Sequence, residues 1–287
     1  MIQSLIKLCR RKKASDWVRC LLVWTSAIIT VSILAYLVFF ILYNGIPHIN
    51  LSLFSPTYTT ENQSLFPALV TTVIMVGLTL IIAVPFGVFT AIYLVEYAPR
   101  GSKMVRIVRV TAETLAGIPS IVFGLFGYIF FANLLGWRRS LLTGCFTLAI
   151  MILPLIMRTT EESLKSISDS YREGSFSLGA GRLRTVFRVI LPSAMPGIFA
   201  GITLAVGRIV GETAALVYTI GNVIKMPDDL FSQGRTLALH VYQLSVEGLY
   251  REQAYATAVI LLILVLCINA LSTAIERRFN KITSLTD

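Results

Sequence analysis

The chain has 287 residues, of which 55% are hydrophobic and only 14% are charged, and its mean hydropathy is +0.76. Such a composition excludes an ordinary soluble domain. The formal net charge of +10 is compatible with nucleic-acid binding, but the basic residues cluster at the ends of long uncharged runs. That is where the positive-inside rule places them in membrane proteins, so we expect a lipid bilayer and no nucleic acid as the partner.

The uncharged runs are long enough for about six membrane crossings, since one helical crossing needs roughly 20 apolar residues. They lack the period of two that marks the strands of a membrane barrel. We therefore predict an all-α polytopic membrane protein with six transmembrane helices and both termini in the cytoplasm. Residues 1–19 are predicted to form a basic cytoplasmic segment, and 20–287 a single transmembrane domain. The predicted helices lie at about 20–43, 67–95, 114–135, 141–157, 194–219 and 253–275.

The segment 158–192 is the most polar part of the interior of the chain, and we predict that it is a cytoplasmic helix–turn–helix. Glycines interrupt it near its middle, and a proline precedes the next span. One apolar face follows the helical spacing i, i+3, i+4, i+7, formed by Leu183, Val186, Phe187 and Ile190. This pattern fits a helix lying in the lipid headgroup layer as well as it fits a surface for a soluble partner.

The fifth predicted helix contains Arg208 and Glu212, one helical turn apart in an apolar run. An arginine at the centre of a membrane helix costs about 2.5–3.5 kcal/mol, so it needs a partner or a water-filled path. One interpretation is a structural ion pair between the two residues. The other is a substrate path, because the planar guanidinium can hold two oxygens of an oxyanion.

The predicted loop resembles the EAA loop of ABC-importer permeases: Glu-Ala-Ala, three residues, Gly, nine residues and Ile-x-Leu-Pro. Glu173, Gly179, Leu191 and Pro192 match by spacing. The departures are Gly174 and Ser175 in the places of the two alanines, and Val189 in the place of isoleucine. The resemblance implies the type I importer (MetI-like) fold and a loop that docks on an ATPase subunit. The chain has no G-x-x-x-x-G-K-[ST] phosphate loop of its own.

Three further stretches, "LVEYAPRG", "GIPSIVFGLFG" and "GETAALVYTIGN", are similar to the PstA family of phosphate-importer permeases. The resemblance implies a bacterial plasma-membrane subunit that moves inorganic phosphate into the cytoplasm and has no catalytic residues. Its implied partners are a sister permease PstC, two copies of the ATPase PstB and an extracytoplasmic phosphate-binding protein. ATP and Mg would be bound by PstB, and this chain would bind no cofactor. Permeases for molybdate or sulfate, and the sister PstC itself, remain alternatives.

Two other classes of protein fit the sequence less well. An ion-gradient transporter or channel predicts repeated halves or polar residues along several helices, and a membrane enzyme needs a cluster of catalytic groups. Neither pattern is present. The two histidines, His48 and His240, have no second ligand in a metal-binding pattern, so no metal site is predicted.

Overall fold

The computed structural model describes residues 14–99, 101–248 and 250–283, and within these ranges the chain is helical, without β-strands. The α-helices are α1 (Ala14–Gly45), α2 (Phe66–Ile92), α3 (Lys103–Ala116), α4 (Ser120–Gly127), α5 (Leu141–Lys165), α6 (Asp169–Ser177), α7 (Arg182–Thr185), α8 (Leu191–Val210), α9 (Ala214–Thr219), α10 (Leu237–Glu247) and α11 (Arg251–Thr283). Wider π turns extend three of them, at Tyr93–Tyr97, Tyr128–Leu134 and Val186–Ile190. The predicted all-α class is confirmed.

Five helical segments of the described chain are long and apolar enough to cross a membrane: Trp17–His48, Phe66–Tyr97, Leu141–Lys165, Arg182–Val210 and Arg251–Ala274. A sixth crossing is obtained only if α3 and the helix after it, Ser120–Leu134, are counted as one span, and these two are bent by 101°. The continuous helix predicted at 114–135 is therefore wrong. Pro119 causes the break, because it lacks an N–H and disfavours a helical conformation at the preceding residue.

Two other predicted helices also need correction. The helix predicted at 141–157 continues to Lys165, because its charged end pairs within itself at i,i+4, as Arg158 does with Glu162 at 3.1 Å. The helix predicted at 194–219 begins earlier, at Arg182, and ends at Val210. Pro192 does not end a helix, because the π turn Val186–Ile190 directly before it widens the backbone at that point.

Helix α5 is the centre of the bundle and packs against α2, α4, α8 and α9. Its apolar side chains Leu148, Met151, Ile152 and Ile156 are 0–1% exposed. By contrast, most of α1 between Trp17 and Phe40 is exposed, which suits a helix that faces lipid, and α1 packs against α11. The end of the bundle that carries α6 and α7 is called the loop end below, and the end that carries α10 is called the opposite end.

Candidate functional site

A break in the helix separates α8 from α9 at Gly211–Thr213, beside the middle of α5. Glu212 lies in this break and is 9% exposed. Its Oε1 accepts a hydrogen bond from the backbone N–H of Ala215 at 3.1 Å. The carboxylate thus caps the first turn of α9, where the unpaired N–H groups of a helix need an acceptor.

Arg208 and Glu212 do not form the ion pair that their spacing predicts. Both residues belong to the described part of the chain, and no contact within 4.0 Å joins their charged groups there. The helix ends at Val210, so the i,i+4 register does not reach Glu212. The Arg208 side chain is exposed, and the structural ion-pair interpretation is wrong.

Arg208 lies at the meeting point of two cavities. One is a groove of about 330 Å³ between α3 and α5, which we call the α5 groove. The other is a hollow of about 620 Å³ that also involves Gly207 and Asn269. Glu212 lines neither of them. The structure therefore separates the two residues predicted for a substrate path: Arg208 faces open space, and Glu212 supports the helix.

The loop forms the predicted helix–turn–helix, with α6 followed by α7. Gly179 makes the turn at φ +77°, a left-handed conformation that glycine adopts without strain. The hydroxyls of Ser175 and Thr185 hydrogen-bond at 2.9 Å across the turn. Glu173 and Gly174 are exposed on α6, and apart from the adjacent chain of α6 no described atom lies within 4 Å of a Cβ added at Gly174.

The predicted apolar face of the loop is divided between two environments. Val186 and Ile190 are buried, at 1% and 0% exposure, whereas Leu183 and Phe187 are 66% and 43% exposed. Leu191 and Pro192 are half-buried at the base of α8. The outward-facing apolar residues, which we call the docking surface, are Tyr171, Phe176, Leu178, Leu183 and Phe187.

Arg172 fastens the loop to the rest of the bundle. Its Nη2 lies 2.7 Å from Oε1 of Glu96, which is in the π turn that ends α2. The same guanidinium donates to the carbonyl oxygens of Ile167 and Leu164 at 2.9 and 3.0 Å. The hydrogen bond to Glu96 is the main reason why the pKa of Arg172 is raised. Both side chains of this pair are largely buried, at 15% and 8% exposure.

A second ionic cluster lies at the loop end of the α5 groove. Oε1 of Glu161 is 2.6 Å from Nη2 of Arg109 and 2.6 Å from Nζ of Lys165. The carboxylate is 7% exposed and the two cations are 40% and 52% exposed. This cluster joins α3 to α5.

At the opposite end, Arg235 is 7% exposed and His240 is fully buried. Arg235 donates through Nη2 to the carbonyl oxygen of Asn222 at 3.0 Å, and its Nη1 lies 3.3 Å from Nδ1 of His240. Because a guanidinium only donates, Nδ1 accepts and the imidazole carries its proton on Nε2. Burial and the charge of Arg235 lower the pKa of His240 to about 4, so this ring is neutral near pH 7.

Sequence reasoning missed both ionic clusters. Glu96 and Arg172 are 76 residues apart, and no local pattern joins them. Glu161 and Arg109 stand at the ends of apolar runs, where charged residues are explained by topology alone. The available signal was that each cluster contains a carboxylate among basic residues at a helix end, where the positive-inside rule accounts only for the basic ones.

The fold and site define a class: a multi-pass helical membrane protein with a broken helix at its centre and a rigidly held polar loop at one end. Residues 83–281 match the family described as binding-protein-dependent transport system inner membrane component. Because the match spans most of the chain, the chain belongs to this family of transporter permeases.

Individual relatives support the family assignment. The phosphate transport system permease protein PstA of Haemophilus influenzae is 30% identical over 254 residues, which cover 86% of this chain and 88% of that protein. PstA 1 of Mycobacterium tuberculosis H37Rv is 38% identical over 166 residues, covering 58% of this chain and 53% of that protein. The probable ABC transporter permease YqgI of Bacillus subtilis is 35% identical over 185 residues, covering 60% and 63%. The chain thus spans about half to just under two thirds of the length of the last two relatives.

Solved structures share the fold. The methionine ABC transporter MetNI, in an inward-facing form, matches with a TM-score of 0.61 at 23% identity, over 75% of this chain and 94% of that chain. A bacterial alginate ABC transporter in complex with its periplasmic protein matches with a TM-score of 0.70 at 16% identity, over 93% and 96%. At these identities the likeness concerns the fold alone, and it confirms the predicted MetI-like architecture.

Proposed function

We propose that this chain is the permease subunit of an ATP-binding-cassette importer that moves inorganic phosphate into the cytoplasm of a bacterium. The observation that carries the proposal is Arg208, an arginine beside the middle of the bundle that faces two cavities and forms no salt bridge with any described residue. Such a residue is costly in a membrane unless a charged ligand or water meets it. A planar, permanently charged guanidinium suits an oxyanion. The phosphate permeases among the relatives favour phosphate over molybdate or sulfate.

Glu212 takes a different role from the one that its sequence position predicts. Its carboxylate accepts the N–H of Ala215 and holds the start of α9 beside the broken turn. We propose that it positions the backbone around Arg208 instead of binding the substrate.

The loop is the proposed contact with the ATPase subunit. The large apolar side chains of its docking surface are 43–90% exposed in the described chain, with Leu178 the most exposed. Glu173 lies beside it on α6. A rigid base supports this surface, because Arg172 ties α6 to the end of α2. A surface held in this way transmits a displacement of the ATPase to the bundle.

The remaining parts of the complex follow from this role. The loop end faces the cytoplasm, together with both termini, and the opposite end faces the extracytoplasmic phosphate-binding protein. A sister permease of the PstC type completes the path, and two PstB-type ATPase subunits bind ATP and Mg. This chain is then not an enzyme by itself, and it binds neither a cofactor nor a metal.

Uptake of radioactive phosphate at micromolar concentration tests the proposal in cells that lack the chain and express its partner subunits. Wild type restores uptake, and Arg208→Gln does not. Arg208→Lys keeps the charge but loses the planar fork, and we expect it to transport poorly. Glu173→Lys loses uptake through failed docking, which co-purification of the ATPase subunit detects. Wild-type uptake by Arg208→Gln refutes the substrate path, and restored sulfate or molybdate uptake in place of phosphate refutes the assigned substrate.

A further inference from the structure

The α5 groove links the middle of the bundle to its loop end. It follows α5 from Met151 to Lys165, a separation of 14 positions and therefore about 21 Å at 1.5 Å per residue. Arg208 lines one end of the groove, and Arg109 and Lys165 line the other. The carboxylates of Glu113 and Glu162 also line the groove, so an anion released by Arg208 toward the loop end has to pass them before it reaches two further cations.

Arg109 is only partly satisfied by its contact with Glu161. The contact uses Nη2, whereas Nε is buried and has no hydrogen-bond partner among the described residues. Nε and Nη2 lie on the same edge of the guanidinium plane and can hold two oxygens of one anion side by side. A buried donor without an acceptor is unfavourable, so this edge lacks one oxygen.

Glu161 provides these two cations with fewer acceptor oxygens than an oxyanion can. A single oxygen, Oε1, is shared between Nη2 of Arg109 and Nζ of Lys165, each at 2.6 Å. Inorganic phosphate has four oxygens and carries between one and two negative charges at neutral pH. It can occupy both N–H groups of the Arg109 edge and still contact Lys165.

We propose that Arg109 and Lys165 form a second oxyanion site on the path, at the loop-end mouth of the α5 groove. Glu161 is the internal carboxylate that holds the two cations until phosphate displaces it. The inference rests on the proposed phosphate transport. A second, more hydrated site gives the anion a place to move to, because conduction needs binding that is weak enough, or spread over enough sites, to permit release.

Chemical labelling of Lys165 tests the site without relying on transport. The assembled transporter, without nucleotide, is placed in phosphatidylcholine nanodiscs and treated with an amine-reactive reagent, and the modified lysines are quantified by mass spectrometry. Inorganic phosphate should slow the labelling of Lys165 and leave Lys103 unchanged, an exposed lysine at the start of α3. Chloride at the same ionic strength should protect neither lysine. Equal protection by chloride, or none by phosphate, overturns the proposal.

Two variants should change the half-protecting phosphate concentration in opposite directions, which a purely structural cluster would not do. Arg109→Gln should raise the half-protecting phosphate concentration about tenfold or more, the effect of losing one charge-assisted contact. Glu161→Gln should lower it, because the competing charge is removed. Arg106→Gln, a change of an exposed arginine on the same helix, is the matched control and should leave it unchanged. An increase in both Arg109→Gln and Glu161→Gln contradicts the displacement model.

Two further arms separate the possible sources of failure. If phosphatidylglycerol in the nanodisc protects Lys165 and inorganic phosphate does not, the occupant is a lipid headgroup and the proposal is wrong. If wild type does not restore phosphate uptake, the proposed function fails whatever the labelling shows, and if Arg208→Gln retains uptake, the path through Arg208 fails. If Arg208→Gln abolishes uptake while Arg109→Gln transports normally and Lys165 is unprotected, only the second site fails.

Discussion

Removing the contact between Glu96 and Arg172 should loosen the loop and destabilise the protein by several kcal/mol. The pair is largely buried, and breaking a buried ion pair by removing one partner costs about 3–5 kcal/mol when the other charge is left without compensation. Glu96→Gln should cost less than this, because Nη1 of Arg172 keeps a second contact with Oδ1 of Asp169 at 3.1 Å. Arg172→Gln should cost more than Glu96→Gln. The arginine also donates to the carbonyl oxygens of Leu164 and Ile167, and these lose their donor as well.

A double-mutant cycle isolates the energy of the pair. The free energy of unfolding is measured by detergent titration for the wild type, Glu96→Gln, Arg172→Gln and the double variant. We expect a coupling energy of about 2–4 kcal/mol, since part of each single loss is the uncompensated charge. The matched control is the Arg158–Glu162 pair, whose side chains are 66% and 65% exposed and whose coupling should be about 0.3–0.5 kcal/mol.

The difference between the coupling energies of the two pairs is the test of this prediction. Equal coupling energies for the buried and the exposed pair would refute the reasoning that burial makes Arg172 the anchor of the loop. A functional readout accompanies the cycle, because a loosened loop should leave ATP hydrolysis intact while phosphate uptake falls. Parallel loss of both activities in Arg172→Gln would instead indicate that the complex no longer assembles.

Three further predictions concern backbone conformation, packing and pH. Gly179→Ala should destabilise the loop by about 1–2 kcal/mol because of its positive φ, whereas Gly174→Ala should stabilise α6 by up to about 1 kcal/mol. Protease protection of the loop reports both changes, and a change in the same direction for both variants would contradict the structure. Gly201→Val should lower the thermal unfolding temperature, because its Cβ overlaps a threonine of α5, and Gly207→Val, which meets open space, should not. The pKa of His240 is about 4, below the unfolded value near 6.5, so stability is full above pH 6.5 and falls by about 2 kcal/mol between pH 7 and 5. His240→Asn should flatten that profile, and an unchanged slope would show that other groups cause it.

The all-helical class could be predicted from the sequence because the lipid bilayer decides it: a long uncharged run in a membrane has few alternatives to a helix. The positions of breaks did not follow. The sequence predicted a loop from Arg158 to Lys165 because this segment contains several charged residues. Charged residues nevertheless pair well along a helix that leaves the membrane. Conversely, the sequence predicted that Arg208 and Glu212 lie one turn apart on the same helix, but this helix ends two residues after Arg208.

The features of the candidate site that depend on residues close together in the sequence could be predicted. The loop motif places Glu173 and Gly179 within seven residues of each other, and the structure supplies the turn that Gly179 implies. The anchors of the loop depend on side chains brought together by packing, such as Glu96 and Arg172. Only the fold brings such residues into contact, so a single sequence without their three-dimensional neighbours does not reveal them.

The π turn at Val186–Ile190 sets the direction in which the docking surface points. Such a turn holds one residue more than a regular α-helical turn, whereas an additional residue in a regular α-helix rotates everything beyond it by about 100°. Deleting a single residue within Val186–Ile190 would therefore restore a regular turn and leave α7 in nearly the same orientation relative to α8. If the same residues formed a regular α-helix without a deletion, α7 would rotate by about 100° and Leu183 would point elsewhere, although every docking side chain was retained.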